Sequence, residues 1–397
     1  MKLTFDDRVE AFRSEFLEWL ATNRPTAEEM AADPAVSSAH VPEWARRWTR
    51  RLFDAGWLVP GWPAERGGRD AGPIETLVYL EELMRAGVPR TTNPQGLGIV
   101  VPSILDYGSP EQIRDFAMPV LRGEKSACLG MSEPGAGSDL ASLSTRAVLD
   151  GDEFVINGQK VWTSGANYAD FCFVFVRTDT TVAKHKGISV LLVDLATPGI
   201  TVRPLPEIVH PDHPDLNEVF YTDVRVPASN LVGQLNNGWA MASGSLAHER
   251  GMVWLGAVLS LENDTKRLLA GAPASLDLLP ADERAVMADG IVQSYIDSVA
   301  ARCLGYRGFA KLVRGGTAPE QALMKVFSSE SQQRLNLVAS ELMGGRALDV
   351  GPGRGPNGGH HSWFEGYLQT FAGTISAGSS EIQRNIVSEK VLGLPRG

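Results

Sequence analysis

The densest group of residues that could do chemistry lies in LGMSEPGAGSDLASLSTRA, residues 129–147. Small residues recur there: Gly130, Ser132, Gly135, Gly137 and Ser138. Such a loop lets a ligand approach backbone N–H groups and serine hydroxyls, which are hydrogen-bond donors. The segment contains neither the G-x-G-x-x-G turn of a dinucleotide-binding unit nor a phosphate-binding P-loop. Because ordinary turns are also rich in Gly and Ser, this loop indicates a ligand site only together with a second feature.

The second feature is Trp162, followed by Thr163 and Ser164 in the segment QKVWTSGANYADF. An aromatic wall beside two hydroxyl donors suits a flat, polar heterocycle. The alternative is a tryptophan packed in the core of a β domain. Without the neighbouring loop, the pattern favours that alternative.

A third candidate is Glu249, on a helix predicted to begin near residue 238. The spacing places it on one face with other residues, which are Leu246, Val253, Ala257 and Leu261. A carboxylate on an apolar face is costly unless it is paired or functional. The adjacent Arg250 could form a structural ion pair, so the spacing leaves a catalytic base and a salt bridge equally open.

Composition and charge limit the class of protein. The 397 residues carry 37 Lys and Arg against 47 Asp and Glu, a formal charge of −10. An acidic chain without a basic block argues against a nucleic-acid binder. No apolar run approaches the roughly 18 residues that span a bilayer. Three cysteines and several loop histidines without metal-ligand spacing predict no metal site, and we expect a cytoplasmic protein.

The hydrophobic period changes twice along the chain and predicts the elements that position these residues. Residues 1–125 predict a helical domain in which Trp44, Trp48 and Leu52 share one helix face and Ser109 is an N-cap. Residues 126–235 predict a β domain. In it, Asn157-Gly158 predicts a hairpin turn between two strands, and the run at 171–176, apolar on both faces, predicts an interior strand. Further strands are predicted at 187–195 and 219–227.

Residues 236–397 predict a helical bundle with helices near 238–270, 281–315, 317–345 and 379–392. The Gly- and Pro-rich stretch at 344–359 predicts the longest loop. Ser380, with Gln383 three residues later, predicts the N-cap of the last helix. The expected fold class is α+β: a helical domain, a barrel-like β domain and a second helical domain.

Together these segments resemble the acyl-CoA dehydrogenase family over nearly the whole chain. Five motifs occur in family order: GWPAERGG, SEPGAGSDLAS, INGQKVWTSGA, ELMGG and GSSEIQRNIVSEKVLGLPR. The resemblance implies an enzyme that holds FAD non-covalently and oxidises an acyl-CoA thioester to its trans-2-enoyl-CoA.

The resemblance also implies which residues bind the cofactor. Ser132 bonds the flavin ring, Trp162 forms a wall beside it, and Ser164 bonds its N5. Gly344 and Gly345 approach the adenine end, usually from a neighbouring subunit, and the helix start at Gly378 and Ser380 offers N–H donors. The other positions that it assigns to cofactor binding are Leu129, Met131, Gly137, Ser138 and Thr163.

One departure from the family concerns the catalytic base. Many members carry a glutamate at the position of Ala377, before Gly378, and alanine cannot take a proton. A subgroup places the base in a Glu-Arg pair on the helix after the β domain, and HERG at 248–251 has that form. The resemblance therefore favours Glu249 as the base. It implies that Ser138 lies near the thioester arm of the substrate and that the Ala377 N–H donates to the thioester oxygen. Arg250 is implied to be a structural or CoA-side partner.

A second departure concerns assembly. An Arg-x-x-Phe-Gly segment that commonly reaches the FAD pyrophosphate of an adjoining subunit is missing around 270–315. The resemblance thus implies either a homo-oligomer or a heterotetramer with a related chain, of the kind formed by relatives acting on steroid side chains. An electron-transfer flavoprotein is the implied electron acceptor. An acyl-CoA oxidase and a non-catalytic partner subunit remain as alternatives.

Overall fold

The computed structural model describes residues 5–209, 211–242, 253–316, 321–349 and 362–395. They divide into two compact units: the first contains the N-terminal helices and the sheet, and the second contains the C-terminal helices. The helices of the first unit include α1 (Asp7–Asn23), α2 (Ala27–Ala32), α3 (Glu43–Asp54), α4 (Pro73–Arg85), α5 (Val101–Tyr107), α6 (Pro110–Gln112) and α7 (Met118–Leu121). None of the helices in the described ranges is long and apolar enough to cross a membrane.

Periodic apolar residues bury the predicted faces of these helices. Trp44, Trp48 and Leu52 of α3 are all buried, which confirms the predicted helix face. Ser109 caps α6, because its side chain accepts a hydrogen bond from Gln112 N at 3.2 Å. Both predictions rest on local patterns, and the structure confirms both.

Within the described residues, seven strands form one sheet: β1 (Ala127–Gly130), β2 (Arg146–Asp150), β3 (Glu153–Lys160), β4 (Phe171–Arg177), β5 (Ile188–Asp194), β6 (Ile200–Pro204) and β7 (Asn217–Pro227). The order is β1-β4-β2-β3-β7-β6, with β5 paired to β4. Strand β4 lies parallel to β1 and antiparallel to β5, and every residue in it is buried. This confirms the predicted interior strand, whose two faces contact two apolar clusters.

The predicted hairpin turn at Asn157-Gly158 is wrong. Both residues lie inside β3, where the pairing with β7 shifts register as in a β-bulge. Gly158 is required because a Cβ there would lie 2.6 Å from Thr145 Cα. The Asn157 side-chain amide bonds Asp223 across the strands, at 2.9 Å and 3.0 Å. The true hairpin turn joins β2 to β3 at Gly151, whose φ is +67°.

The described helices of the second unit are α8 (Val253–Leu276), α9 (Ala281–Val313), α10 (Gln321–Met343), α11 (Trp363–Ile375) and α12 (Ser380–Ile386). The first three pack against each other, and α10 also packs against α11 and α12. This packing is that of a helical bundle, with Leu261, Ala301 and Leu335 fully buried.

Helix α11 was not predicted from the sequence. Its glycines lower helix propensity, yet Gly366 is needed where a Cβ would lie 2.6 Å from Asn336 Oδ1 of α10. A readable signal existed, since Ser362 and Glu365 form a capping box with bonds of 3.0 Å and 3.1 Å. Helix packing therefore outweighed the unfavourable glycines.

The predicted N-cap of the last helix is wrong by one residue. Ser379, not Ser380, caps α12, and its side chain accepts a hydrogen bond from Ile382 N at 3.4 Å. The backbone at Ser379 is extended, as an N-cap requires, whereas Ser380 is already helical.

Candidate active site

The loop after β1 is open to solvent at its glycines. Glu133 and Ala136 exchange backbone hydrogen bonds of 2.9 Å and 3.1 Å and close a tight turn. Gly135 and Gly137 are exposed, and a Cβ added at either would meet no atom within 4 Å. Ser138 is also exposed, whereas Leu129, Met131 and Ser132 are half-buried. The loop therefore presents accessible backbone of the kind that the sequence predicted.

The second predicted segment lies beside this loop. Val161 N donates to Ser132 O at 2.9 Å, so the residue before Trp162 is joined to the first loop. Trp162 is 59% exposed and has φ +59°, so it is not packed in the core of the sheet. A left-handed backbone at a bulky residue costs about 1–3 kcal/mol and marks a position that its surroundings hold in place.

The residues after Trp162 form a hydrogen-bonded loop around Asn217, a residue that sequence reasoning missed. Thr163 N donates to Asn217 O at 3.0 Å, and Asn217 Nδ2 donates to Thr163 O at 3.1 Å. Gly165 N donates to Asp215 O at 2.7 Å. Thr163 is 1% exposed, and Ser164 is half-buried. No local pattern could reveal Asn217, because the pairing joins residues about fifty positions apart.

Two polar atoms, one in this loop and one at the start of β7, have no partner within the part of the chain that the structure describes. They are Thr163 Oγ1 and Asn217 Oδ1, both buried. An unpaired buried polar atom costs about 1–3 kcal/mol, so each such atom needs an explanation. A bound ligand that reaches either atom would supply the missing hydrogen bond.

A buried ion pair lies between β3 and the first loop. Lys160 is fully buried, and its Nζ contacts Glu133 Oε1 at 2.8 Å. Burial raises the pKa of Glu133, but Lys160 and several hydrogen bonds outweigh it and lower the pKa to about 2. Burial lowers the pKa of Lys160 to about 8, although Glu133 opposes the shift. Both groups are therefore charged at neutral pH.

In the second unit, the predicted residues before α12 have unusual backbone. Ala377 has φ +53° and is exposed, and Gly378 has φ +87°. Lys325 Nζ donates to Gly378 O at 2.7 Å and holds this turn, and burial lowers the pKa of Lys325. Ser380 is buried, and its Oγ has no partner among the described residues.

Two further predicted positions follow α10. Gly344 and Gly345 are exposed, and a Cβ added at either would meet nothing within 4 Å. Gly344 has φ +52°, which begins a short 3-10 turn (Gly344–Leu348). Open backbone at a double glycine allows close approach of another group.

Glu249 and Arg250 lie outside the described residues. Residues 238–242 are helical, in agreement with the predicted helix start near 238. The predicted apolar face is wrong at Ala257, which is exposed on α8. The buried residues of this helix start include Trp254, Leu255, Val258, Leu259 and Leu261. The helix is therefore buried on the face that carries Trp254 and Val258.

No three His, Cys, Asp or Glu side chains in the described ranges are grouped so that they could hold a metal ion. The polar groups of the described loops are instead serine and threonine hydroxyls, amides and open backbone. They suit an organic ligand with many acceptor atoms.

Comparisons with known proteins agree over the length of the chain. Models of the acyl-CoA dehydrogenase N-terminal, middle and C-terminal domains match residues 6–124, 128–224 and 236–392. Acyl-CoA dehydrogenase IpdE1 of Mycobacterium tuberculosis is 36% identical, and the match covers 98% of each chain.

Solved structures are similar as well. The Tcur3481-Tcur3483 steroid ACAD matches with a TM-score of 0.81 and 29% identity, covering 100% of both chains. The ChsE4-ChsE5 complex from Mycobacterium tuberculosis matches with a TM-score of 0.76 and 28% identity, also over 100% of both chains.

The fold and these matches define a flavin-dependent oxidoreductase. The chain belongs to the acyl-CoA dehydrogenase family, and it acts on acyl-CoA thioesters by α,β-dehydrogenation. The described residues fit FAD, the cofactor that this family implies. Trp162 offers an exposed indole, and the buried hydroxyl of Thr163 beside it lacks a protein partner.

Proposed function

We propose that this chain binds FAD between the loop after β1 and the loop that begins at Trp162. The observation that carries the proposal is the strained, exposed Trp162 next to the buried, unpartnered Thr163 hydroxyl. A flat ring against the indole would bury its exposed face, and the ring's polar atoms would pair the free hydroxyl. Both gains offset the cost of the left-handed backbone.

Further cofactor contacts are proposed from the family resemblance. In the first unit, Ser132 and Ser164 bond the ring, and a further set lines it: Leu129, Met131, Gly137, Ser138 and Thr163. The open backbone of Gly344 and Gly345 approaches the adenine end, usually that of a neighbouring subunit's cofactor, and Gly378 and Ser380 donate hydrogen bonds. The unpartnered Ser380 Oγ supports this last assignment.

Glu249 acts as the base. It takes the α-proton of the acyl-CoA, and the C–H electron pair enters the new α,β double bond as the β-hydrogen leaves with its own electron pair. FAD, when bound, supplies the acceptor for that hydride. Removing the α-proton needs donors aimed at the thioester oxygen, and the Ala377 N–H is one of them. Ala377 is exposed and has a left-handed backbone outside any helix, so its N–H is not committed to a helical hydrogen bond. This supports the proposed role.

The substrate contacts are Ser138 near the thioester arm and Arg250 on the CoA side. A steroid side chain carried as a CoA thioester is the proposed acyl group, with fatty acyl chains as the comparison class. The similarity to a steroid ACAD supports this choice.

The chain works in a homo-oligomer or in a heterotetramer with a related chain, and an electron-transfer flavoprotein takes its electrons. Similarity to the ChsE4-ChsE5 complex supports the two-chain form. We place the protein in the cytoplasm and its domains at 1–125, 126–235 and 236–397. The spans of the three family models support this division.

One experiment tests the proposal as a whole. The purified chain is reconstituted with FAD, and steroid, long, branched and short acyl-CoAs are compared by kcat/KM with an artificial electron acceptor. We expect bound flavin absorbance and the highest kcat/KM with a steroid side-chain thioester. A chain that gains no flavin, alone or with a related subunit, contradicts the proposed cofactor site; equal rates on all thioesters contradict the proposed substrate.

A further inference from the structure

The mechanism gives no role to the buried pair of Lys160 and Glu133. Their side chains are 0% and 4% exposed. A buried ion pair is weak evidence for stability, because well-packed apolar residues often serve equally well. The pair lies next to the loop after β1, which carries proposed cofactor contacts. We therefore look for a role other than stability.

The carboxylate of Glu133 is fully used in holding the loop. Oε1 accepts hydrogen bonds from Lys160 Nζ and from Thr145 N, each at 2.8 Å. Oε2 accepts from Ser144 N at 2.6 Å and from Ser144 Oγ at 2.8 Å. The loop is thereby tied both to β3 and to the segment that leads into β2.

Lys160 also fixes the orientation of one peptide group. Its Nζ donates to Met131 O at 3.0 Å. In a planar trans peptide the C=O and the following N–H point in opposite directions. The Ser132 N–H therefore points away from Lys160. The next peptide is fixed as well, because Ser132 O accepts from Val161 N at 2.9 Å.

This orientation leaves a donor unused. Within the described residues, no hydrogen bond is formed by the Ser132 N–H, and Ser132 is half-buried. A fixed, unpaired N–H next to a serine side chain is a ready donor for an acceptor on a bound ligand.

We propose that Lys160 and Glu133 are positioning residues for the cofactor, which turn the Met131–Ser132 peptide so that the Ser132 N–H faces the flavin. The inference rests on the proposed FAD site. It adds to that site two residues that never touch the flavin and act only through the Met131–Ser132 peptide.

The test replaces the pair without leaving a buried charge. The double variant Lys160→Met/Glu133→Gln keeps the side-chain volumes and is neutral, but it loses the Met131 anchor. The matched control is Lys184→Met, which breaks the exposed pair with Asp139 (2.6 Å) in the same loop region. FAD affinity is measured by quenching of flavin fluorescence, the ring environment by visible circular dichroism, and the apo fold by thermal unfolding.

We expect the double variant to bind FAD about tenfold more weakly, which corresponds to about 1.4 kcal/mol, the order of one oriented hydrogen bond. Its flavin circular dichroism should change, while Lys184→Met stays within about twofold of wild type. A folded double variant with wild-type affinity and an unchanged flavin spectrum overturns the inference. Wild type that binds no flavin refutes instead the FAD site on which it rests.

A pH titration of the wild type keeps the inference testable even if the double variant does not fold. The groups that face Lys160 are Glu133 on the loop and Cys172 and Arg177 on β4. Because the pKa of Lys160 is about 8, raising the pH through that value should discharge it and weaken FAD binding. Lys160→Arg stays charged and should flatten this dependence. Equal pH profiles for wild type and Lys160→Arg contradict the proposed role.

Discussion

Replacing Gly165 by alanine should disturb the loop that carries Trp162, Thr163 and Ser164. Gly165 has φ +72°, and an added Cβ would lie 2.4 Å from Ala39 Cβ and 2.8 Å from Ala39 N. Ala39 is itself buried, so a shift of this residue would disturb the packing around it. The substitution therefore combines backbone strain with steric overlap.

The magnitude follows from a matched control, Gly151→Ala in the β2–β3 turn. Gly151 has φ +67°, and an added Cβ there meets nothing within 4 Å, so this variant shows the backbone cost alone. The left-handed conformation costs a non-glycine residue about 1–2 kcal/mol. The loss of unfolded-state entropy returns about 0.4–1 kcal/mol. Overlap in a packed core adds about 1–3 kcal/mol, and only Gly165→Ala has this contribution.

The assay is urea unfolding of the two apo variants and wild type, followed by FAD titration of each folded protein. We expect Gly165→Ala to lose about 1–3 kcal/mol more unfolding free energy than Gly151→Ala, and to bind FAD more weakly because the Thr163 loop moves. Adding Ala39→Gly should recover part of the excess, since it removes the nearer contact. Equal losses for the two glycine variants would refute the reasoning.

Three further predictions follow from the site. Glu249→Gln should keep FAD absorbance and lose turnover by about 10²–10⁴-fold, the usual contribution of a general base, in a stopped-flow assay of flavin reduction; near-wild-type reduction rejects Glu249 as the base. Ala377→Gly should raise the unfolding temperature slightly and preserve turnover, because φ +53° costs glycine nothing and the N–H remains; a large loss of turnover would show that the methyl group matters. The folded-state pKa of Glu133, about 2, lies below its ordinary 4.5, so its stabilising contribution is complete above about pH 4.5 and is lost as the pH falls toward 2. Unfolding temperatures measured from pH 6 to 3 should therefore fall more steeply for wild type than for Lys160→Met/Glu133→Gln, which leaves no buried charge, and parallel curves would contradict this.

Local patterns determined much of the helical structure in advance. Trp44, Trp48 and Leu52 define a buried face because side chains four residues apart meet on any α-helix. Ser109 caps its helix through a bond to a residue three positions away, which the sequence shows directly. The uninterrupted apolar run of β4 likewise required burial on both faces.

Long-range pairing decided the features that the sequence left open or suggested wrongly. Asn157-Gly158 has the chemistry of a hairpin turn, yet its pairing with β7 and its contact with Thr145 make it a bulge. Helix α11 forms despite its glycines because the face that carries them packs against α10. In both cases contacts between distant residues outweigh a local preference of about 1 kcal/mol.

The candidate site shows the same division. Residue types alone indicated the loop after β1 and the Trp-Thr-Ser segment, because glycines and hydroxyl side chains can be identified directly in the sequence. Only the tertiary structure brought Val161 against Ser132, gave Trp162 its left-handed backbone and placed Lys160 beneath Met131. Each of these features depends on segments that meet only after the chain has folded. The spacing of side chains along the sequence does not show which backbone groups will be hydrogen-bonded to each other.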